Sequence, residues 1–244
     1  MQCRRAPYDL ATCSHYEGVS DPKRLAEHFG VIMPAGVKFD VWPGYESIVI
    51  RRPKEWGSGD DALPAREAAG GAFGLVPHWT KALDAKAALV AARRTYNARS
   101  ETVREKPSFR DAWRRGQHCL IPAEAIYEPD WRSGKAVPTR ISRADGKPMG
   151  IAGLWTGWRA PDGPVLRSFT MLTVNADNHA LMKNFHKPDD EKRMVVILHE
   201  HQYDAWLDAP PERSTDFMQQ YPAELLVAVA APIPPAAKRA RPPA

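Results

Sequence analysis

The sequence predicts an α+β fold built around a mainly antiparallel sheet. Apolar runs of strand length recur along the chain, and turn residues separate them at short intervals. The helical segments are few and short, and the chain contains no internal repeat. Many short strands with a few short helices are typical of α+β proteins with antiparallel sheets. At 244 residues, with no break in composition near its middle, the chain is expected to form one large domain.

The first half of the chain contains one helix with clear end signals. Asp21 is a good N-cap, Pro22 suits the first helical position, and Gly30 suits the position just after the helix. Cys13 lies on an extended segment before this helix. The segments predicted next are a strand over 41–53 centred on Ile48, a surface loop over 56–71, an apolar strand over 73–79, and a helix or loop over 81–92.

The second half is predicted to consist mostly of strands. A short helix over 108–115, capped by Ser108 and closed by Gly116, precedes them. The predicted strands cover 118–122, 125–127, 137–142, 150–155, 169–174, 193–198 and 225–230. The remaining predictions are a turn over 129–135, short helices over 177–184 and 199–207, and a disordered Pro/Ala/basic tail over 231–244.

Composition narrows the classes of function. A hydrophobic fraction of 43% and a charged fraction of 26% are those of a soluble globular protein, and the net charge of +5 is compatible with nucleic acid. Three irregularly spaced cysteines form neither a disulfide framework nor a Cys-x-x-Cys zinc pair. The segment His199-Glu200-His201 lacks the spacing of a metalloprotease helix, so no metal and no other cofactor is expected. Without an apolar run of membrane-span length or a signal-peptide core, a reducing cytoplasm is expected.

The stretch from Tyr96 to Glu128 carries the strongest functional signal. Seven arginines fall between Arg93 and Arg115, and the aromatic residues Phe109 and Trp113 lie among them. Basic and aromatic side chains together suit a phosphate backbone that carries unstacked bases. The stretch therefore predicts a surface that faces nucleic acid.

Taken singly, the residues with chemical potential also have structural interpretations. Asn97 and Arg99 could belong to a capped loop, and Glu128 could be the exposed end of a strand. His186 closes an apolar segment, where a lone histidine is more often structural than catalytic. Cys119 lies in a strand run and is expected to be a buried core thiol. Only the combination of these residues points to one chemistry.

Five motifs occur in order along the chain. They are NARSET at 97–102, CLIPA and YE within 119–128, AGLW at 152–155, LT at 172–173, and His186 ahead of RMVVIL at 193–198. The segment FGLVPHW at 73–79 matches a sixth pattern, W-G-L-x-P-x-W, with Phe in place of the first Trp. Together these motifs resemble the SRAP family, the SOS response-associated peptidases, also called abasic-site processing proteins. The resemblance covers residues 13–230 and implies a single SRAP-like catalytic domain with a curved, barrel-like sheet and short flanking helices.

The resemblance implies that Cys13 is the nucleophile, because Cys13-Ser14-His15-Tyr16 matches the C-G-R-Y start of the family. Once this cysteine is N-terminal, its α-amine would form a Schiff base with the ring-opened aldehyde of an abasic site. Its thiol would then close a thiazolidine, which is a stable protein–DNA crosslink. An α-amine has a pKa of about 7.7–8.0, so part of it is neutral at pH 7, and the ring closure is intramolecular.

The resemblance also implies roles for the other candidates. Asn97 would hold the Cys13 backbone or a sugar-derived oxygen, Glu128 would be the general acid/base that opens the sugar ring, and His186 would be a second acid/base. Arg99 would clamp a phosphate with its planar fork. The implied DNA contacts are Arg99, His15, Thr173, Trp79, Trp131 and Arg104. The implied protein is a monomer with no membrane partner, which binds single-stranded DNA containing abasic sites and joins the bacterial nucleoid on damage.

Twelve residues precede Cys13, and they matter chemically. With Thr12 attached, Cys13 has an amide nitrogen and cannot form an imine or a thiazolidine. Residues 1–12 are expected to be an extension that reflects a mis-assigned start or, second, a leader removed by self-cleavage at Thr12–Cys13; a third possibility is that this copy has lost crosslinking. Met1 precedes Gln2, which is too large for ordinary methionine removal, and Cys3 lies outside the resemblance.

Three departures from the family pattern concern DNA affinity more than reaction type. His15 stands where the family has Arg, and Pro129 follows Glu128 where the family has Trp, a stacking surface that Trp131 is expected to replace. Six residues separate His186 from the RMVVIL segment, where the common pattern is H-D-R-M-P. Two other classes of function stay open: a cysteine peptidase that processes itself or a partner, and a non-catalytic module that binds single-stranded DNA.

Overall fold

The computed structural model describes residues 13–160 and 163–231, in which the chain is mostly β with few, short helices. The described strands are β1 (His15–Gly18), β2 (Asp40–Val41), β3 (Glu46–Arg51), β4 (Glu67–Phe73), β5 (Asn97–Arg99), β6 (His118–Asp130), β7 (Val137–Arg143), β8 (Met149–Arg159), β9 (Val165–Asn175), β10 (Arg193–Val195), β11 (Ile197–Leu198) and β12 (Leu226–Ala230). The described α-helices are α1 (Pro22–Phe29), α2 (Ala85–Ala92), α3 (Arg110–Arg114) and α4 (Tyr203–Leu207).

Five strands close into a barrel. Strand β6 pairs with β8, β8 with β9, β9 with β4, β4 with β3, and β3 returns to β6. The β4–β9 pair is parallel and the other four pairs are antiparallel, so the barrel is mixed. Strands β1, β2, β7 and β12 extend the sheet beyond β6. The architecture confirms the predicted α+β class with a mainly antiparallel, barrel-like sheet.

Strand β6 is the spine of the sheet. Its 13 residues pair with β8 and β3 in the first half and with β1 and β7 in the second half. The two strand pieces predicted over 118–122 and 125–127 are therefore one strand. The turn predicted from Pro129 begins too early, because Pro129 and Asp130 still pair with β7. As a result, Glu128 lies inside the paired sheet and not at an exposed strand end.

Aromatic side chains fill the barrel. The Phe73 ring stacks on Phe169 at a centroid distance of 5.4 Å and meets the edge of Tyr16 at 5.3 Å. Trp206 of α4 covers one end of the barrel, where its indole N–H donates to the carbonyl of Cys119 at 2.9 Å. Cys119 is buried in the core, as predicted. Each buried side chain of this size contributes about 1.5–3 kcal/mol through the hydrophobic effect.

Helix α1 has the predicted end signals. The Asp21 carboxylate accepts a hydrogen bond from the Lys23 amide at 2.9 Å, and Pro22 is the first helical residue. Gly30 has a φ of 71°, and its N–H donates to the carbonyl of Ala26 at 2.9 Å. These contacts satisfy backbone groups that a helix end leaves without partners, which is why the local sequence alone predicted this helix.

The strand predicted over 73–79 is wrong in its position. Strand β4 spans Glu67–Phe73, so it also occupies the end of the loop predicted over 56–71. The small residues of β4 do not form a strand-like pattern, but they pair along the whole of β3, whose bulky side chains fill the barrel. Gly74 ends β4, because its φ of 119° is a conformation that side-chain-bearing residues rarely adopt.

Three other boundaries differ from prediction because tertiary contacts decide them. Helix α3 begins after Phe109 without a side-chain cap, so the cap predicted at Ser108 is wrong. Of the helix predicted over 177–184, only the 3₁₀ turn Met182–Asn184 forms. The strand predicted over 193–198 is split at Val196, where the chain leaves β9 and joins β8.

The contact of Gly74 with helix α2 predicts a large cost for a side chain there. A Cβ atom on Gly74 would overlap the backbone carbonyl of Ala92, in addition to the strain of a positive φ. Gly74→Ala is therefore expected to lower the free energy of unfolding by about 3 kcal/mol or more in urea titrations. Gly36→Ala is the matched control, because Gly36 also has a positive φ but faces open space, and about 1–2 kcal/mol is expected. Equal losses for the two variants would contradict the predicted clash.

Candidate active site

Cys13 and Asn97 meet although 84 residues separate them. Cys13 lies just before β1, whose pairing with β6 sets His15 opposite Tyr127. The Asn97 side-chain amide donates to the Cys13 carbonyl at 3.0 Å, and the Cys13 thiol donates to the His15 carbonyl at 3.4 Å. The Cys13 side chain is fully buried. The backbone of the candidate nucleophile is therefore fixed in place by an amide side chain.

Strand β5 positions Asn97 and Arg99 on one face. It runs parallel to β9, with Asn97 beside Met171 and Arg99 beside Thr173. Because side chains alternate along a strand, Ala98 points into the core while its two neighbours share the other face. The structure therefore shows a short strand followed by turns, where the local sequence is also compatible with a capped loop.

Glu128 is a buried carboxyl beside Cys13. Burial raises its pKa to about 8, and the backbone amide of Cys13 partly offsets this effect by hydrogen bonding to the carboxyl. The pKa of the Cys13 thiol is also raised, first by burial and then by the nearby charge of Glu128. At pH 7 the carboxyl and the thiol therefore both hold their protons in this form of the chain.

His186 completes the cluster from a different segment of the chain. Its Nε2 atom lies 3.4 Å from Glu128 Oε2, and both side chains are almost fully buried. Its backbone N–H donates to the carbonyl of Pro129 at 3.1 Å, and Phe185 forms a bridge with Asp130. The end of β6 thus carries Glu128 and also holds the histidine next to it. His186 has a φ of 68°, an unusual conformation for a residue with a side chain.

The Glu128–His186 pair is an acid beside a base. Burial lowers the pKa of His186 while it raises that of Glu128, so near neutral pH the histidine is neutral and the carboxyl protonated. Two titratable groups whose environments move their pKa values in these directions can act as proton donor and proton acceptor. Such a pair can protonate a leaving oxygen and take a proton from an attacking nucleophile.

Unsatisfied polar atoms are concentrated at this site. Within the described residues, seven buried side-chain polar atoms lack a hydrogen-bond partner, and four of them are Asn97 Oδ1, Glu128 Oε1, His186 Nδ1 and His186 Nε2. Buried polar groups without partners are rare in folded proteins, and a catalytic role is one physical explanation for them. The arrangement therefore suits a polar substrate that reaches Cys13.

The predicted DNA-contacting residues are spread more widely than the catalytic candidates. Arg99 is half exposed and pairs with Glu191 at 2.8 Å. Thr173 is buried, and its hydroxyl donates to the Ala98 carbonyl at 3.4 Å and accepts from Arg193 at 3.1 Å. Thr173 thus supports β5 and does not face solvent.

Of the remaining predicted DNA contacts, His15 lies next to the site, since its carbonyl accepts from the Cys13 thiol. The His15 ring is stacked between Trp42 and Tyr127 at 4.1 and 4.2 Å, and its Nε2 lies 2.6 Å from Asp40. The other three are surface residues with different degrees of exposure: Trp79 is half exposed beside a small cleft, Trp131 is partly buried and Arg104 is exposed.

The basic and aromatic parts of the predicted nucleic-acid surface separate in the fold. Phe109 and Trp113 are buried in the core, so neither ring is available to stack on a base. The arginines among them stay at or near the surface. Sequence reasoning missed Glu191 and the ion-pairing role of Arg193; the available signal was an acid two positions before an arginine at the start of an apolar strand.

The fold and the cluster define a class of protein, a small mixed barrel with a cysteine-centred acid–base site. The chain matches the family model described as SOS response associated peptidase (SRAP) over residues 12–233, and it belongs to this family. A solved structure of a protein from Bordetella bronchiseptica is 47% identical with a TM-score of 0.81, covering 91% of this chain and 100% of that chain. A solved structure from Bacteroides thetaiotaomicron, 19% identical with a TM-score of 0.71, shares the fold over 89% of this chain and 91% of that one.

Curated relatives carry names that refer to abasic sites. The chain is 34% identical over 148 residues to the abasic site processing protein YoqW of Bacillus subtilis (strain 168), covering 60% of this chain and 59% of the relative. It is 28% identical over 163 residues to the abasic site processing protein HMCES of Mus musculus, covering 56% of this chain and 43% of the relative. The chain thus spans about three fifths or less of the length of these relatives. In the described part of the chain, no helix is long and apolar enough to cross a membrane.

The raised pKa of Glu128 predicts a specific pH dependence of stability. A carboxyl whose pKa rises on folding favours the folded state fully below its unfolded pKa, and this contribution is lost as the pH rises from about 4.5 to about 8. Glu128→Gln cannot ionise, so it should gain stability relative to the native chain across this range. The expected gain at pH 9 is a few kcal/mol, since one pKa unit corresponds to about 1.4 kcal/mol.

Urea unfolding of both proteins at intervals between pH 4.5 and 9 measures this difference. Glu55→Gln, at an exposed position, corrects for the change in net charge. After this correction, the free energies of unfolding of the Glu128→Gln protein and the native chain should diverge as the pH rises. If their difference stays constant with pH, Glu128 is not buried as described.

Proposed function

We propose that this protein captures abasic sites in single-stranded DNA by a covalent crosslink through Cys13 once that residue is N-terminal. The α-amine condenses with the ring-opened aldehyde and releases water, which gives a Schiff base. The thiol S–H then adds across the C=N bond, so that sulfur bonds to carbon and the proton ends on nitrogen. The observation that carries the proposal is the position of Cys13, held by Asn97 beside the buried Glu128–His186 pair.

The contact between Glu128 and the Cys13 nitrogen supports this reaction. In the described form that nitrogen is an amide, and it hydrogen-bonds to the Glu128 carboxyl. After release of the preceding residue, the same nitrogen would be an amine beside the same carboxyl. The proton shared by this amine and Glu128 can then pass through the carboxyl to the sugar ring oxygen as the ring opens, and to the hydroxyl that leaves as water.

His186 suits the second half of the reaction. Burial keeps the Cys13 thiol protonated, so its addition to the imine requires a nearby base. A neutral imidazole whose pKa is lowered by burial can accept that proton and pass it to the ring nitrogen. The family to which the chain belongs, and the abasic-site names of its relatives, support a function at abasic sites.

A second candidate function is hydrolysis of the Thr12–Cys13 bond by the same groups. Water adds to the Thr12 carbonyl and ends in the Thr12 carboxyl group, the Cys13 nitrogen leaves as an amine, and the Glu128 carboxyl that contacts this nitrogen can protonate it. The two functions are compatible, because the cleavage would supply the N-terminal cysteine that crosslinking needs. A third function, non-catalytic binding of single-stranded DNA, leaves the buried acid–base pair without a role.

Crosslinking is expected for a chain that begins Met-Cys13, since methionine is removed before a small residue. Incubation with an abasic single-stranded oligonucleotide should give a shifted band that survives denaturant. Cys13→Ala should abolish the band. Cys13→Ala and Cys13→Ser both keep the α-amine and lack the thiol, so each should give a band only after borohydride reduction of the imine. Cys119→Ser is the matched control, because this thiol is buried in the core, and its band should be unchanged. An equal band from Cys13→Ala would refute the role of Cys13.

Self-cleavage is expected to depend on the buried pair. Intact-mass measurement of the full chain after purification should show loss of residues 1–12 in the native protein. Glu128→Gln should slow this loss by at least about tenfold, in the range typical of a lost general acid. Glu124→Gln, on the same strand, is the control for a general effect of removing a carboxyl. Loss at the same rate in all three proteins would assign the cleavage to another protease.

A further inference from the structure

Glu191 bridges two arginines at the edge of the candidate site. One carboxylate oxygen, Oε2, lies 2.8 Å from Arg99 Nη1, and the other, Oε1, lies 2.6 Å from Arg193 Nη1. The Asn175 amide also donates to Oε1 at 3.3 Å. Glu191 belongs to the six-residue insert at 187–192 that separates His186 from β10.

The two arginines differ in how firmly they are held. Arg193 is buried, and its guanidinium donates to Thr173 and to Glu101 as well as to Glu191. It is therefore a fixed part of the sheet. Arg99 has 54% of its side chain exposed, and its ion-pair partner in the described chain is Glu191. Of the two, only Arg99 can exchange its partner without unfolding a buried network.

The insert holds Glu191 in place. The Lys192 ammonium donates to the carbonyls of Lys187, Pro188 and Asp190, which closes the insert into a compact loop. The Lys192 amide donates to Asp177 at 2.8 Å, and this ties the loop to the end of β9. Glu191 therefore meets Arg99 from a preorganised position and not as a free surface side chain.

We propose that Glu191 is an internal phosphate mimic that competes with DNA for Arg99. A carboxylate between two guanidinium groups occupies the position that a phosphodiester oxyanion would take, and arginine forks bind both anions with similar geometry. Arg99 lies on the same strand face as Asn97, which holds Cys13, so a phosphate on Arg99 would belong to the strand that enters the site. The proposal rests on the proposed function, because it assumes that DNA enters at Cys13.

The competition has a consequence for salt dependence. When DNA binds Arg99 in the native chain, the strand releases a counterion, but the displaced Glu191 carboxylate takes one up. The two effects largely cancel. Without the carboxylate, the counterion release of the Arg99–phosphate contact is no longer cancelled. For a single strand, the slope of log K against log salt should then be steeper by about 0.7. Glu191 thus weakens binding to intact DNA, while covalent capture retains abasic DNA.

The test uses fluorescence anisotropy with an intact, unmodified single-stranded oligonucleotide, so that no crosslink contributes. Glu191→Gln is expected to bind about tenfold more tightly than the native chain at low salt, with a slope steeper by about 0.7. Asp189→Asn is the matched control, because it removes the same charge from an exposed position in the same insert. It should leave the slope unchanged. Glu191→Ala and a thermal melt of each variant show whether any change reflects loss of folding.

A double variant identifies the residue through which Glu191 acts. In Arg99→Gln, the additional Glu191→Gln change should bring no gain in affinity, since the released arginine is absent. Equal effects of Glu191→Gln and Asp189→Asn would overturn the proposal, because the gain would then follow net charge alone. Absence of measurable binding by every variant at low salt would also overturn it. Failure of the proposed function has a different signature: the affinity gain of Glu191→Gln persists, while abasic DNA gives no crosslink with any chain that begins at Cys13.

Discussion

The burial of the Glu128 carboxyl is the constraint on which the site depends. A carboxyl with no water around it keeps its proton near neutral pH unless a cation lies beside it. No arginine pairs with this carboxyl among the described residues: Arg193 is occupied by Glu101 and Glu191, and Arg99 by Glu191. The arginine charges are therefore paired with carboxylates, while the buried site holds a neutral acid, a neutral imidazole and a neutral thiol. This separation lets two residues exchange protons without either being locked in its charged form.

The fold produces this separation by means of one long strand. Strand β6 carries Glu128 into the paired region of the sheet, and one residue later the Pro129 carbonyl fixes the backbone of His186. The positive φ of His186 costs about 1–3 kcal/mol, and such strain persists only where surrounding contacts fix it. The bridge between Phe185 and Asp130 is one of these contacts. The distance between acid and base is thus set by the spine of the sheet and not by a mobile loop.

Local signals predicted those parts of the structure that local contacts decide. Helix α1 followed from its caps, and β3 and β7 followed from their strand patterns. The sequence could not predict that the small residues of β4 form a barrel strand, because its large partners come from β3. At the site, the motif resemblance singled out Cys13, Asn97, Glu128 and His186, and the structure brings these four residues together. The pairing of Arg99 with Glu191 was not predictable, since it depends on how a six-residue insert closes on itself.

Under the two proposals, the screening of Arg99 and the covalent capture of abasic DNA would complement each other. A protein that formed many phosphate contacts would bind any single strand, and intact DNA greatly outnumbers abasic sites, so most molecules would be occupied unproductively. An internal carboxylate at Arg99 lowers this background by making the phosphate contact an exchange of partners. A crosslink needs no tight noncovalent complex, because an intramolecular ring closure holds the product once the aldehyde has reached the amine. Selectivity can therefore come from the aldehyde, which intact DNA lacks, while Arg99 only orients the strand.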